Sequence, residues 1–198
     1  MSRMTAYEMD QREIDIAEAG RRVVLRYGMS RTTMSDVAQE AGISRQTLYA
    51  VFSSKDELLR AIIRQLSNRK VAGIEADFER TSDLGERLDS VILHMAIKSF
   101  ELLQASPDAE DIVTGFNAAC KEELKSNAVR YHDLLTDMLK PYQRSINSAG
   151  MTVPALADFI QKSTLMIKHE ASDMAHITEL AGSLKALVLH VALAGSGK

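Results

Sequence analysis

Proline and cysteine are scarce in this sequence, and long apolar runs are missing. Only three prolines occur among 198 residues, and no segment alternates polar and apolar residues over many positions, so an all-α fold is favoured. The one cysteine, Cys120, excludes an internal disulfide framework. Because there is no uninterrupted run of 18 apolar residues and no signal-peptide pattern at the N-terminus, a cytoplasmic protein without a membrane span is predicted.

The charges are unevenly distributed along the chain. Residues 21–70 contain ten Lys and Arg against four Asp and Glu, a net charge of +6, whereas residues 71–198 contain twelve against eighteen, a net charge of −6. Apolar residues make up 45 % of the chain, enough for a substantial core. A basic segment on an acidic body is the pattern expected when one end of a protein binds phosphate groups.

The basic segment begins with two helical patterns separated by a loop. The first is predicted over Asp10–Tyr27 and ends at Gly28, since glycine adopts the left-handed conformation after a helix without steric penalty. Thr33 is a favourable N-cap for the second helix, and Asp36 follows three residues later as in a capping box. Gly42 is predicted to end this second helix.

A third short helix is predicted directly after this glycine. Ser44 is a favourable N-cap, and the helix spans about Arg45–Val51, with Leu48 and Phe52 spaced to face the core. A second capping box begins at Ser54 and starts a longer helix. Two helices joined by the tight turn A-G-I-S form a predicted helix-turn-helix.

The outward side of the third helix has side chains suited to reading DNA. In a helix-turn-helix the second helix enters the major groove. Arg45 is suited to bidentate pairing with guanine, Gln46 to adenine, and the Thr47 methyl group to packing on thymine. Tyr49 and Lys55 can reach backbone phosphates, as can the amide groups at helix N-termini. A helix-glycine-helix pattern alone is weak evidence; the two caps, the basic charge and the capped helix that follows strengthen it.

The run "TTMSDVAQEAGISRQTLYAVFSSKDELL", residues 32–59, resembles the DNA-binding domain of the tetracycline-repressor (TetR) family. The shared features are the T-T-M start, the A-G-I-S turn, T-L-Y in the third helix, and S-K-D-E-L at the start of the fourth, and the resemblance covers about residues 10–65. It implies phosphate contacts by Thr33, Tyr49 and Lys55, and base-edge or groove contacts by Arg45, Gln46 and Thr47. The predicted DNA-binding set is Thr33, Ser44, Arg45, Gln46, Thr47, Tyr49 and Lys55.

Four positions depart from the family pattern. Val51 stands where the family often has histidine, so one phosphate contact is missing. Val23 and Val24 replace a frequent Leu-Phe pair, and Gly20 replaces a frequent alanine. The departures in the first helix imply that its packing, and with it the tilt of the third helix, differs from the family pattern.

The rest of the chain is predicted to be a helical body. The proposed division is a DNA-binding domain over residues 1–54 and an effector-binding and dimerisation domain over residues 55–198. Because no Gly-, Ser- or Pro-rich linker follows Lys70, the fourth helix is expected to continue towards Phe78. Further breaks are predicted near the sequence R-T-S-D-L-G, before Pro107, at Pro141 and at Gly150.

Two helices are predicted to close the chain, over about Pro154–Glu170 and Ser172–Ala194. The segment "LKALVLHVALAG", residues 184–195, is apolar on nearly all sides, whereas a surface helix of a monomer has a polar face. Burial from two directions predicts a homodimer through these helices, in agreement with the TetR resemblance. A central core helix in a monomer is the alternative.

Soft and aromatic side chains on the middle helices form a candidate effector pocket, because ligand sites are mostly apolar and methionine adapts to varied shapes. The predicted pocket residues are Met95, Phe100, Phe116, Cys120, Tyr131 and Met138. Ordinary core packing explains any one of them equally simply. The identity of the effector is not encoded in a recognisable motif.

The function predicted from these patterns is a homodimeric transcriptional repressor that a small molecule releases from a palindromic operator. Two alternatives stay open: a DNA-binding dimer that responds to a protein partner or to nothing, and an enzyme. No cofactor or metal is predicted, because the cluster of His169, Glu170, Asp173 and His176 matches no familiar ligand spacing. No nucleophile, base and oxyanion site assembles, so an enzyme is disfavoured.

Overall fold

The computed structural model describes residues 8–105 and 118–194, and all of the regular elements in those ranges are helices. The fold class is therefore all-α, as predicted. Contacts divide the chain into two compact units. The first contains the described residues within Met1–Arg69 and Glu101–Ala128, and the second those within Lys70–Phe100 and Val129–Lys198. The boundary between residues 54 and 55 remains a prediction.

The described ranges contain ten α-helices. In chain order they are α1 Gln11–Tyr27, α2 Met34–Glu40, α3 Arg45–Val51, α4 Lys55–Phe78, α5 Leu84–Ile92, α6 Lys98–Ala105, α7 Ala118–Leu139, α8 Gln143–Ser148, α9 Val153–Glu170 and α10 Met174–Leu193. A π-helical segment, Leu93–Ile97, connects α5 to α6, and a 3₁₀ turn, Lys140–Tyr142, connects α7 to α8.

The predicted helix boundaries in the first unit are largely confirmed, and the cause is local capping. Asp10 accepts a hydrogen bond from the Glu13 amide at 2.8 Å, and the Glu13 carboxylate accepts one from the Asp10 amide at 2.8 Å. This reciprocal pair starts α1, which ends at Gly28 with a positive φ of 79°. Such a capping box satisfies amide groups that the start of a helix otherwise leaves without hydrogen-bond partners.

One apolar cluster forms the core of the first unit. It contains residues from α1, α2, α3 and α4, among them Val37, Leu48 and Leu58, together with Cys120 from the start of α7. The prediction that Leu48 and Phe52 face inward is confirmed, since both are buried. This core fixes α2 and α3 from their apolar sides and leaves their polar sides available.

The second unit is a bundle in which α9 packs against α10 and against the π-helical segment. The Asp83 side chain caps α5 by accepting from the Glu86 amide at 2.9 Å. The predicted interruption at Pro141 is confirmed, because α7 ends at Leu139 and the proline lies in the 3₁₀ turn. The final two helices lie close to the predicted ranges, while the predicted helix start at Ser106 to Asp108 lies outside the described residues.

A glycine in α4 makes room for a histidine of the π-helical segment. A β-carbon added at Gly73 would lie 2.1 Å from Cε1 of His94 and 2.7 Å from its Nδ1. His94 is buried, and its Nε2 lies 3.4 Å from the Asp77 carboxylate. Gly73 is thus required by this ring, although alanine would be the better helix former.

Gly73→Ala is expected to lower the free energy of unfolding by roughly 1–3 kcal/mol, because the ring must leave its place to admit the methyl group. Thermal or urea unfolding measures the effect. The same substitution in a His94→Ala background is the control. There the methyl group meets no ring, and the helix preference for alanine should make it neutral or stabilising.

One helix in the described part of the chain, α10, is long and apolar enough to cross a membrane by length and composition alone. Only 28 % of its most apolar window is buried within the chain. Apolar helices of proteins that never enter a membrane also meet these criteria of length and composition. The apolar side chains that α10 exposes within a single chain are therefore available to a binding partner.

Candidate nucleic-acid interface

The turn between α2 and α3 depends on Gly42. Its φ is +67°, in the left-handed region that favours glycine. The Ile43 amide donates to the Ala38 carbonyl at 3.0 Å, and the Gly42 amide donates to the Gln39 carbonyl at 3.1 Å. These bonds satisfy carbonyl groups at the end of α2 and let the chain reverse within a few residues. The tight helix-turn-helix predicted from the sequence is confirmed in geometry.

Ser44 starts α3 at a defined residue. Its hydroxyl oxygen accepts a hydrogen bond from the Thr47 amide at 3.0 Å, and its own hydroxyl group donates to the Thr47 hydroxyl oxygen at 2.9 Å. Leu48 is fully buried on the opposite side of the helix. The cap and the buried leucine together set the rotation of α3 about its axis.

Three side chains of α3 project into solvent with their polar groups available. Arg45 and Gln46 are exposed, and Tyr49 is 43 % exposed. No hydrogen bond or ion pair joins the side chain of Arg45, Gln46 or Tyr49 to another described residue. A guanidinium, an amide and a phenol without internal partners are the donors and acceptors that base edges and phosphates require.

Thr33 lies at the start of α2 and is exposed. The Asp36 amide donates to its hydroxyl oxygen at 3.2 Å, while the hydroxyl itself donates to the Asp36 carboxylate at 2.6 Å. The hydrogen bond from the Thr33 hydroxyl, followed by that from its amide, lowers the pKa of Asp36. The predicted capping box is confirmed, and the positive end of α2 already has one carboxylate beside it.

Lys55, at the start of α4, is partly buried and its ammonium group donates to the Ser30 carbonyl at 3.2 Å. This bond holds the lysine beside the loop between α1 and α2. The cationic group has further donors that it can turn towards a phosphate. Its predicted role in phosphate binding stays a prediction.

The capping pattern at α4 differs from the predicted box. The Ser54 hydroxyl oxygen accepts from the Glu57 amide at 3.2 Å, as expected. The Glu57 carboxylate, however, accepts from the amide and the hydroxyl group of Ser53, both at 2.7 Å, rather than from Ser54. These bonds, the hydroxyl first, lower the pKa of Glu57. The Ser53 amide is consequently occupied and is not free for a phosphate.

An ion-pair cluster that the sequence did not reveal connects α1 to α2. Arg22 Nε lies 2.7 Å from one Glu40 carboxylate oxygen, and Arg26 lies 3.3 Å from the other. The hydrogen bond from Arg22 is the main reason that the pKa of Glu40 is lowered. The spacing of Arg22 and Arg26 by one helical turn was a readable signal, but their acidic partner lies on another helix. The cluster helps to fix the angle between the two helices.

The predicted effector-pocket residues do not all fall in one unit. Met95, Phe100, Tyr131 and Met138 belong to the second unit, whereas Cys120 is buried in the core cluster of the first. Phe116 lies outside the described residues. Phe100 and Met138 are buried, and Met95 and Tyr131 are partly buried. Their role as a ligand site stays a prediction.

A tight glycine turn between two short helices, with free polar side chains on the second, defines a helix-turn-helix protein of the DNA-binding class. Residues 16–62 match the family model of bacterial regulatory proteins, tetR family. Over 61 residues the chain is 43 % identical to the HTH-type transcriptional regulator YfiR of Bacillus subtilis (strain 168), in an alignment covering 31 % of this chain and 30 % of YfiR. Residues 16–62 therefore form an N-terminal domain of the tetR family.

Solved structures of low sequence identity share the whole fold. A TetR transcription regulator from Haloarcula marismortui ATCC 43049 matches with a TM-score of 0.68 at 18 % identity, over 94 % of this chain and 98 % of that chain. The regulator FadR from Bacillus subtilis, solved in complex with stearoyl-CoA, matches with a TM-score of 0.63 at 18 % identity, over 88 % and 96 % of the two chains.

These matches establish an N-terminal helix-turn-helix domain followed by a C-terminal helical domain. The sequence alignment with YfiR spans less than a third of that relative, and the structural likeness shows the fold. The matched family and the matched sequence relatives are regulators rather than enzymes.

Proposed function

We propose that the protein is a cytoplasmic, sequence-specific DNA-binding transcriptional repressor. The proposal is supported mainly by the exposed side chains of α3. Those of Arg45, Gln46 and Tyr49 have no hydrogen-bond or ion-pair partner among the described residues. In this proposal Arg45, Gln46 and Thr47 contact base edges in the major groove. Ser44 lies at the start of the reading helix. Thr33, Tyr49 and Lys55 contact phosphates on either side.

The proposed active form is a homodimer through α9 and α10. Large apolar side chains are exposed on both helices: Phe159, Leu165, Met166, Met174, Leu187 and Leu193. Leu187 shares a side of α10 with the exposed Ser183, one turn before it. The adjoining side has the exposed small residues Gly182 and Ala186, which would let a partner helix approach closely. A symmetric dimer places two reading helices about 34 Å apart, which fits an inverted repeat in DNA.

The proposed control is release from DNA by a small molecule. The dimer has conformations that differ in the separation and tilt of the two reading helices, and only one of them fits adjacent major grooves. A ligand that binds one conformation better than another shifts the population between them. FadR, a structural neighbour, was solved with stearoyl-CoA, which supports a small-molecule effector as the kind of signal. Helix α4 contributes residues to both units and is the proposed path of the coupling.

DNA flanking the protein's own coding region tests the proposal directly. A search for an inverted repeat, followed by footprinting at moderate salt, should reveal one protected palindrome whose two half-sites lie about one helical turn apart. Binding of equal strength to unrelated DNA of the same length would contradict sequence-specific recognition. Added cell metabolites that abolish the footprint would identify the effector.

Single substitutions should separate base contacts from phosphate contacts. Gln46→Ala is expected to weaken operator binding by about 1–3 kcal/mol while leaving random DNA unaffected, because it removes a base-edge contact. Lys55→Ala is expected to weaken both DNAs similarly and to reduce the salt dependence of binding by about one charge. Fluorescence anisotropy over a range of salt concentrations measures both quantities. If both substitutions changed the ratio of operator affinity to random-DNA affinity equally, the assignment of Gln46 to a base and Lys55 to a phosphate would be contradicted.

A further inference from the structure

The second unit contains a buried lysine without a counterion. Lys168, on α9, is only 8 % exposed. Its ammonium group has no hydrogen bond or ion pair with any described residue. Because this nitrogen is not among the fully buried polar atoms that lack a partner, it keeps some contact with solvent, through which an anion can reach it. Lys168 lies in the last turn of α9, where the helix dipole favours a cation, but that interaction is available at the surface and does not require burial.

A second lysine lies in the same interior. Lys70 of α4 donates a hydrogen bond from Nζ to the Ser99 hydroxyl oxygen at 2.8 Å, and Ser99 is only 3 % exposed. The amine end of Lys70 therefore lies inside the unit. Burial lowers the pKa of Lys70 to about 8. Burial, followed by the charge of Lys70, lowers the pKa of Lys168 to about 8, so the two amines are near enough to repel each other.

The neighbouring charged groups do not neutralise this pair. The nearby carboxylate of Asp77 accepts from the Ser90 hydroxyl at 2.7 Å and lies 3.4 Å from Arg80, so it is already paired. The buried ring of His94 has a lowered pKa, chiefly through burial and then through the charge of Lys98, which favours its neutral form near pH 7. No described carboxylate shifts the pKa of Lys70 or Lys168, so the two amines have no negative partner there, although residues 71–198 as a whole are acidic.

We propose that the ammonium groups of Lys70 and Lys168, with the Ser99 hydroxyl, bind the anionic headgroup of the effector. The headgroup is a compact oxyanion, a carboxylate or a phosphate, whose oxygens accept charge-assisted hydrogen bonds from ammonium groups. Such a ligand would supply a counterion to two largely buried amines, where the attraction is stronger than in bulk water. This inference rests on the proposed control by a small molecule and specifies the chemistry of that molecule.

Matched ligands of one chain length test the headgroup. Octanoate, octyl phosphate and neutral 1-octanol, together with inorganic phosphate, are added to the full-length protein at pH 7, and thermal unfolding is followed. At least one anion should raise Tm by about 3 °C or more at saturation, and 1-octanol should not. A response to octanoate alone identifies a carboxylate, and a response to octyl phosphate or inorganic phosphate identifies a phosphate.

Two lysine variants locate the anion. Lys168→Met should abolish the anion-dependent rise in Tm. Lys162→Met, which removes an exposed lysine of the same helix paired with Asp158, should keep it. The ligand-free Lys168→Met protein should melt at or above the wild-type temperature, because an unpaired buried amine is replaced by an apolar chain of similar length. A ligand-free variant that melts well below wild type would overturn the premise that this amine is unpaired.

The outcome for the anion site can be separated from the outcome for DNA binding. Gel shifts without added ligand test whether the wild-type protein recognises its inverted repeat. Recognition of DNA combined with no response to any anion, or with an equal response in Lys168→Met, overturns the anion site and leaves the regulator proposal intact. Failure to recognise any inverted repeat, with the anion response present, overturns the regulator proposal instead.

Discussion

The triple variant Arg45→Ala, Gln46→Ala and Tyr49→Ala is expected to bind the operator at least about a thousandfold more weakly than the wild type. Each base or phosphate contact contributes about 1–3 kcal/mol, and a dimer makes every contact twice. The loss is limited by non-specific attraction, which is typically 10³–10⁷ weaker than specific binding. Binding should therefore fall to the level measured on random DNA. Fluorescence anisotropy with operator and scrambled duplexes at one fixed salt concentration gives both values.

The fold should be unaffected by these three changes. The side chains of Arg45, Gln46 and Tyr49 have no partners within the described residues, and the buried Leu48 and the Ser44 cap that fix α3 are untouched. Circular dichroism and Tm should match the wild type. Lys121→Ala with Lys125→Ala removes exposed positive charge from α7 and serves as the control for non-specific electrostatics. Wild-type operator affinity in the triple variant would refute the assignment of α3 as the reading helix.

Local patterns in the sequence correctly predicted the helix caps and the buried side of α3. The Thr33 and Ser44 caps each bond to an amide three residues later, so the whole interaction lies within one turn of chain. The inward direction of Leu48 also follows from helical spacing alone. The rotation of α3 about its axis, and with it the set of side chains that face solvent, could therefore be predicted from the sequence.

Interactions between distant segments were not accessible in the same way. Arg22 and Glu40 lie on different helices, and Lys70 and Ser99 are separated by 29 residues. A charged residue in an amphipathic helix is usually interpreted as part of the solvated face, so the burial of Lys168 had no sequence signal. Helical periodicity likewise predicts that Cys120 is buried but not which core contains it.

Leu187→Glu is expected to convert the proposed dimer into a monomer at low micromolar concentration. Leu187 is 58 % exposed on α10 within a single chain, beside the small residues that would contact a partner. In a two-fold interface each substitution appears twice, so the variant would place two unpaired carboxylates in an apolar contact, at a cost of several kcal/mol. Analytical ultracentrifugation should show the wild type at twice the chain mass of 21.9 kDa and the variant at that mass.

Loss of the dimer should also weaken operator binding strongly, because a monomer occupies one half-site and forfeits the second set of contacts. A hundredfold loss or more is expected at nanomolar protein, with the salt dependence roughly halved. Val129→Glu is the matched control, since Val129 is an apolar residue 61 % exposed on α7, which is not one of the two helices of the proposed interface. A wild-type protein that sediments as a single chain, or a Leu187→Glu protein that remains dimeric, would contradict the proposed interface. Either result would mean that something other than a second copy covers the exposed apolar side of α10. Because this helix is long and apolar enough to cross a membrane, binding of the protein to lipid vesicles would then be measured.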